Sequence, residues 1–400
     1  MRATPFHDNA LPLRFHHLAF LEDRGEVVVG RSDIDSYGVF PPDGAALVRE
    51  LVAGLTPQAA AAWYAQTYSE PVDIDQFVAT LRDLQLVCDE ARDPAPTAAP
   101  VVRWQRLGRA LFCVPAWACY AALVAAAILA CAADGRMLPS THNVFFSDYL
   151  VVVELSVLVG QLVLTAIHEL AHVLAGRRLG IRSSVALSRR FYFVVLETNL
   201  DGLAVVPRAK RYLPILAGLL ADLLAVCALT VTAYLTRTDG HVTLIGGFCL
   251  ALAFTTLPRM AWQLYLFMRT DVYVLISTLT GCNDLDGCAR GVLANKLNTL
   301  LGRHDRLRDE DLWHPADRRV ARWYAPLLVG GYATMTVVGL AVGLPITWRF
   351  LSSAVERVAG PATETAHFWD SALLLALTAL QVGAAVAIAL RDRRRQRSTT

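Results

Sequence analysis

Three residues near the middle of the chain have the types and spacing of a metal-dependent hydrolase. The segment Thr165–Arg178 reads TAIHELAHVLAGRR and contains His168, Glu169 and His172 in the pattern H-E-x-x-H. Residues four apart on a helix lie on one face, so both imidazoles can bind a single Zn²⁺ ion. Glu169 then serves as general base for a water at the metal. The sequence therefore predicts one zinc ion per chain, with His168 and His172 as ligands and Glu169 as the catalytic residue.

The element that must position these residues is an apolar helix. The run Tyr149–Ile167, just upstream, is almost wholly apolar. Ionisable side chains at the end of a membrane span are costly and usually functional. This context favours a metal site over the alternative, which is a pair of ordinary histidines on a helix surface.

Composition indicates a membrane protein that is mainly α-helical. Hydrophobic residues make up 55% of the chain and charged residues 18%, and the net charge is only +2. Apolar runs approach or exceed the ~20 residues of a bilayer span at about 110–133, 149–175, 213–235, 243–267, 325–347 and 370–390. We expect a polytopic helical bundle of about six spans in a membrane domain over residues 110–390. The basic residues cluster beside apolar runs, which predicts a lipid bilayer and no nucleic acid as partner.

The distribution of arginine predicts the orientation of the spans. Six spans place both termini on the same side of the membrane. Basic residues cluster at one set of loop ends, namely Arg103, Arg106, Arg109, Arg177, Arg178, Arg208, Arg211 and a basic tail over residues 391–400. Because cytoplasmic loops carry the excess of basic residues, we expect a multi-pass protein of the cell membrane with cytoplasmic N- and C-termini.

Residues 1–90 have the pattern of a small α+β domain. Glu26–Gly30 and Ser36–Phe40 are β-type runs, and helices are predicted from Asp43, from Pro57 and from Ile74. Thr56 and Asp73 are the expected N-caps of the second and third helices. A hairpin followed by three short helices predicts a winged-helix-like arrangement. Residues 91–109, which begin in a segment rich in proline and alanine, are predicted to be a linker.

The N-terminal segment resembles the PqqD-like domain. The resemblance rests on VVVGRSDIDSYGVFPPDGAALVREL, on QTYSEPVDID at the end of the second helix and on FVATLRDLQLV. It implies a domain that binds the leader of a ribosomally made precursor peptide by pairing it with a sheet edge, for which we expect Glu26–Gly30. A regulatory or structural cytoplasmic domain is the alternative.

A catalytic zinc site needs a third protein ligand, and three aspartates are candidates. Asp201 and Asp286 both occur in the tripeptide LDG, whereas Asp271 occurs in FMRTDVYVLISTL at the end of the fourth span. The spacing of these residues does not choose among them.

Residues from roughly 145 to 345 resemble the site-2 protease family of intramembrane zinc proteases, in particular its branch of peptide zinc metalloproteases. HELAH is the most specific part, and LFMRTDVYVLISTL is similar to the family phrase NPLLRFDGYYLLSDLL. Residues shared with that phrase are Arg269, Asp271, Tyr273, Leu275 and Ser277, whereas Tyr265-Leu266 and Val272 depart from it. The resemblance implies that Asp271 is the third zinc ligand. It also implies that Asp222 lies near the active site, and we expect Arg259 to face an acidic partner.

The segment between the second and third spans is too short to cross a membrane. The resemblance implies a hairpin at membrane level that presents substrate as an added strand, with Phe191, Tyr192, Phe193 and Asn199 as substrate-binding residues. The alternative is an ordinary interfacial connection.

Together, the motif and the resemblances predict an intramembrane zinc metalloendopeptidase that removes the leader of a ribosomally synthesised precursor peptide during its maturation, in a daptide-like or related pathway. Transporter or modifying-enzyme partners would fit this role. Two alternatives remain open. One is a regulatory protease that acts on a membrane-anchored signalling protein. The other is a non-catalytic subunit for peptide docking or export.

Overall fold

The computed structural model describes residues 11–31, 33–34, 36–88, 102–190, 193–199, 202–282, 284–360 and 364–397. The chain is mostly helical and divides into two compact units. The first comprises Met1–Phe112, His172–Val185 and Thr198–Pro214, and the second comprises Cys113–Ala171, Ala186–Glu197 and Ile215–Thr400.

The N-terminal part contains a three-stranded antiparallel sheet. Its strands are β1 (Ala19–Asp23), β2 (Glu26–Arg31) and β3 (Ser36–Phe40), in the order β1-β2-β3. The predicted hairpin of β2 and β3 is confirmed. Strand β1 was not predicted, because its sequence AFLED has a weak strand pattern and its pairing depends on a tight turn at Arg24-Gly25. Both turn residues have positive φ, 55° and 84°, as a two-residue hairpin turn requires.

The expectation that a leader pairs along Glu26–Gly30 is wrong. Strand β2 is the central strand and pairs with β1 through Ala19↔Gly30 and with β3 through Val27↔Phe40. Its backbone groups are therefore used on both sides. The edge strands of this sheet are β1 and β3.

Three helices pack beside the sheet, as predicted. They are α1 (Pro42–Val52), α2 (Pro57–Tyr68) and α3 (Ile74–Asp83). Thr56 and Asp73 cap α2 and α3 by accepting hydrogen bonds from the backbone nitrogens of Ala59 and Gln76. The core that joins helices and sheet consists of large apolar side chains, among them Val29, Leu47, Leu51, Leu81 and Leu86. The winged-helix-like arrangement and the PqqD-like likeness stay predictions.

The predicted linker is helical at its C-terminal end, where α4 spans Gln105–Leu111. Gly108 lies so close to the metal-motif helix that a Cβ there would come within 2.3 Å of the carbonyl oxygen of Leu174. Glycine permits this approach because it has no side chain. The remaining residues of the predicted linker, apart from 102–104, lie outside the described residues.

Among the described residues, six helices are long and apolar enough to cross a membrane, as predicted, which indicates a multi-pass membrane protein. They are Val114–Ala133, Leu150–Arg178, Arg208–Leu235, Leu244–Trp262, Pro315–Ala341 and Thr365–Ile388. These spans correspond to helices α5 (Val114–Ala133), α6 (Leu150–Arg178), α7 (Arg208–Leu235), α8 (Leu244–Trp262), α11 (Pro315–Val338) and α13 (Thr365–Arg397). Between them lie the shorter helices α9 (Asp271–Thr280), α10 (Leu285–Leu300) and α12 (Leu344–Ala359).

Two carboxylates contact the first residues of α6, which carries the motif, and of α7. Asp370 on α13 accepts hydrogen bonds from the backbone nitrogens of Leu150 at 2.7 Å and Val151 at 3.0 Å. A carboxylate at this place satisfies orphan donors of α6 and complements the positive end of its dipole. In the first unit, Asp23 Oδ2 lies 2.5 Å from Nε of Arg208, the first residue of α7. The turn of the β1–β2 hairpin is thus joined to the start of that helix.

Candidate metal centre

Helix α6 places His168 and His172 one turn apart on one face. Their exposed fractions are only 6% and 5%. The sequence forms a helix here because TAIHELAHVLAGRR contains strong helix formers and ends with two arginines near the negative end of the helix dipole. The predicted shared face of the two imidazoles is confirmed.

Asp271 comes to these histidines from the first turn of α9. Its Oδ2 lies 3.3 Å from Nε2 of His168. One potential ligand atom from each of His168, His172 and Asp271 lies within 4.8 Å of the others. The backbone nitrogen of Asp271 donates to the side-chain oxygen Oε1 of Gln263 at 3.1 Å, which ties the start of α9 to the end of α8.

The other nitrogen of each imidazole already has an acceptor. His168 Nδ1 lies 3.0 Å from Oδ2 of Asp222, and His172 Nδ1 lies 2.7 Å from the carbonyl oxygen of Pro214. Neither acceptor oxygen carries a proton to share when Asp222 is ionised, so both Nδ1 atoms act as donors. In the neutral form of each ring, the lone pair is then on Nε2. This is the tautomer in which Nε2 can bind a metal.

The donor set fits zinc. Two imidazole nitrogens and one carboxylate oxygen are a common set of three protein ligands for catalytic Zn²⁺, and they leave one position for water or substrate. Asp222 contacts Arg259 and the Nδ1 side of His168, whereas Asp271 supplies a carboxylate on the Nε2 side of the same ring. Nδ1 of each imidazole is also hydrogen-bonded to a protein oxygen, as is usual for metal-binding histidines.

Glu169 follows His168 on α6 and is half-buried. It precedes His172 by three residues, a spacing that puts two side chains next to each other on a helix. Its place on the helix is therefore compatible with the predicted role of general base.

The alternative aspartates have different surroundings. Asp286 is buried on α10, where it contacts Arg290 Nε at 3.0 Å and Arg269 Nη2 at 3.2 Å. Within the residues that the structure describes, the metal-type cluster includes Asp271 and not Asp286. Asp201 lies outside the described residues.

The predicted substrate-binding segment forms a two-stranded sheet of β4 (Ser184–Arg190) and β5 (Phe193–Asn199). Phe193 and Asn199 are the first and last residues of β5. Phe191 and Tyr192 fall outside the described residues. The role of these four residues in binding substrate stays a prediction.

Two supporting contacts were not assigned from the sequence. The expected acidic partner of Arg259 is Asp222, and the same carboxylate contacts His168. For both contacts, the sequence offered one signal, which is a charged residue (Asp222 or Arg259) within an apolar run. The carbonyl of Pro214 carries no such signal, because every residue has a carbonyl and only packing selects one.

Comparisons of the chain with models of known families, with curated proteins and with solved structures found no match. The case for a function therefore rests on the geometry of the chain's own residues.

Proposed function

We propose that this protein is an intramembrane zinc metallopeptidase. The observation that carries the proposal is the pair of imidazoles on α6, each held at Nδ1 by an acceptor, with the carboxylate of Asp271 beside them. A structural ion pair would need one histidine and one carboxylate. Two oriented imidazoles around one point are the arrangement that a transition metal uses.

When bound, zinc supplies a Lewis acid that polarises the scissile carbonyl and makes water more acidic. His168, His172 and Asp271 would hold the zinc ion. Glu169 accepts a proton from the attacking water and passes it to the leaving amine, as a general base and then a general acid. The reaction class is hydrolysis of a peptide bond.

The position of the cluster on α6 suits a substrate that approaches along the membrane. His168 lies nine residues before Arg177, or about 13 Å at ~1.5 Å per residue. If the arginine-rich ends are cytoplasmic, as their distribution predicts, the site lies inside the bilayer and near the cytoplasm. Water must then reach it through a cavity lined by protein.

A substitution of Glu169 tests the chemistry. Purified Glu169→Gln protein should bind zinc as the unsubstituted protein does, because both imidazoles and Asp271 remain. It should lose hydrolysis of fluorophore-labelled casein in detergent by at least about 100-fold, the lower range for loss of a general base. Zinc is measured by atomic absorption. Hydrolysis at the unsubstituted rate would show that Glu169 is not the base.

We also propose that the N-terminal domain recognises the leader of a precursor peptide. The edge strands of the three-stranded sheet are β1 and β3, and an added strand pairs with an edge strand through main-chain hydrogen bonds. The processed peptide, with its leader removed, would then be the product of the proposed site.

Removal of residues 1–95 tests the recognition role. With a leader-bearing peptide as substrate, the truncated protein should show a raised KM and nearly unchanged kcat, because recognition contributes to binding and not to the chemical step. Zinc content serves as the control, since the truncation also removes the Asp23–Arg208 contact. An unchanged KM in a zinc-loaded truncated protein would rule out leader recognition. Leader binding without hydrolysis in either protein would indicate a docking subunit.

A further inference from the structure

Asp222 and Arg259 form a charged pair within the membrane-spanning helices. Asp222 lies on α7 and is only 1% exposed, and its Oδ1 contacts Nη2 of Arg259 on α8. Its other oxygen, Oδ2, faces Nδ1 of His168 at 3.0 Å. One buried carboxylate therefore joins a permanent cation to a proposed metal ligand.

Arg259 also reaches the helix that carries the motif. Its Nη1 donates to Oγ1 of Thr165 on α6 at 2.7 Å. Thr165 lies three residues before His168, on the same side of α6. A single guanidinium thus connects α6, α7 and α8 about one turn from the proposed ligand.

The contact belongs to a row of polar residues along α6, namely Gln161, Thr165, His168 and His172. Gln161 Nε2 donates to Oγ1 of Thr255 at 2.7 Å and to Oγ1 of Thr256 at 3.1 Å on α8. Gln161 is therefore a tie between α6 and α8 that resembles Arg259 in geometry but does not contact a proposed ligand. It provides a matched control.

A charged pair removed from water is not expected to add much stability. The cost of desolvation offsets most of the attraction, and apolar residues of similar size often stabilise as well or better. The hydrogen bond of Asp222 to the back of an imidazole points to another role, because such contacts fix the ring orientation of metal-binding histidines.

We propose that Asp222 and Arg259 are positioning residues that hold the imidazole of His168 with Nε2 directed at the metal. Asp222 accepts a hydrogen bond from Nδ1. Arg259 fixes the orientation of the Asp222 carboxylate and connects it to α6 and α8. The inference rests on the proposed metal site and adds two residues that raise its affinity for zinc.

Zinc affinity of the full-length protein in detergent tests the inference. Competition with a chromogenic chelator should show that Asp222→Ala weakens zinc binding about 10–100-fold, the range for loss of a group that supports a metal ligand. Arg259→Gln should weaken it in the same direction, and Arg259→Lys should restore part of the affinity. With Co²⁺ as the probe, the visible spectrum of Asp222→Ala should differ from that of the unsubstituted protein.

The control separates positioning from mere stability. Gln161→Ala should lower the thermal unfolding temperature of the metal-free protein and leave zinc affinity within about twofold, an expectation based on its lack of contact with a ligand. Equal affinities in Gln161→Ala, Asp222→Ala and Arg259→Gln would overturn the positioning role. If Asp222→Ala does not fold, the Arg259 variants decide alone. Failure of the unsubstituted protein to bind zinc would instead refute the metal site itself.

Discussion

Asp222 and Asp286 are both buried and both contact arginine, yet their surroundings differ. Asp222 is 1% exposed and Asp286 is 4% exposed. Asp222 divides its oxygens between Arg259 and the imidazole of His168, whereas Asp286 is held by Arg269 and Arg290. Burial of a carboxylate therefore does not distinguish a chemical role from a structural one. The second partner of each carboxylate differs, since it is an imidazole for Asp222 and another arginine for Asp286.

The surroundings of Asp286, one of the two aspartates in an LDG tripeptide, disfavour it as the proposed third ligand. Both arginines around Asp286 carry a permanent positive charge, which occupies the carboxylate and would repel a metal ion. Arg269 also has a left-handed backbone, with φ of 52°, two residues before Asp271. Its ion pair with Asp286 thus helps to define the chain path that brings Asp271 to His168.

The largest expected effect is a difference in zinc content between variants of the proposed metal site and variants of the Asp286 region. Asp271→Ala removes a proposed ligand and should reduce bound zinc to a small fraction of the unsubstituted level. Asp286→Ala should keep most of the zinc, because its partners are arginines. Metal analysis of the two purified proteins makes the comparison. Zinc loss in Asp286→Ala together with full retention in Asp271→Ala would reverse the assignment.

Thermal stability should show the opposite difference, with a clear loss in Asp286→Ala. Asp286→Ala leaves Arg269 and Arg290 without their shared acceptor and releases the left-handed turn. Their side chains are 59% and 48% exposed, so water replaces part of the loss, and we expect a cost of about 1–3 kcal/mol. Thermal unfolding of metal-free protein measures it. An unfolding temperature equal to that of the unsubstituted protein would contradict a structural role for Asp286.

A third carboxylate, Asp43 in the N-terminal domain, provides the smallest effect. The hydroxyl of Tyr64 donates to it, which lowers the pKa of Asp43 below its ordinary value and raises the pKa of Tyr64 to about 12. A lowered folded pKa stabilises the fold above the unfolded pKa, and that contribution is lost as pH falls through the folded value. Tyr64→Phe should therefore cost about 1 kcal/mol near neutral pH and less in acid.

Denaturant unfolding of the full-length protein, followed by tryptophan fluorescence, to which Trp63 on α2 contributes, measures this difference at several pH values. A cost that grows as the pH falls would contradict the proposed charge-assisted bond.

Features that depend on neighbours in the chain were predictable. The six apolar runs are long enough to identify the spans, because a bilayer sets a minimum length for an apolar helix. The shared face of His168 and His172 follows from helix periodicity. The caps at Thr56 and Asp73 follow from side chains that can accept the first free backbone donors of a helix.

Features that depend on packing were not predictable from local pattern. Strand β1 became visible only in its pairing, which makes β2 central and removes Glu26–Gly30 as an edge. Asp271 was preferred through a family resemblance, since spacing alone left it equal to Asp201 and Asp286. Only the tertiary structure decided that Asp271 and Asp222 stand on either side of His168 and that Pro214 holds His172. These groups lie on separate helices, and their approach depends on how side chains pack between helices, which no periodicity within one helix can specify.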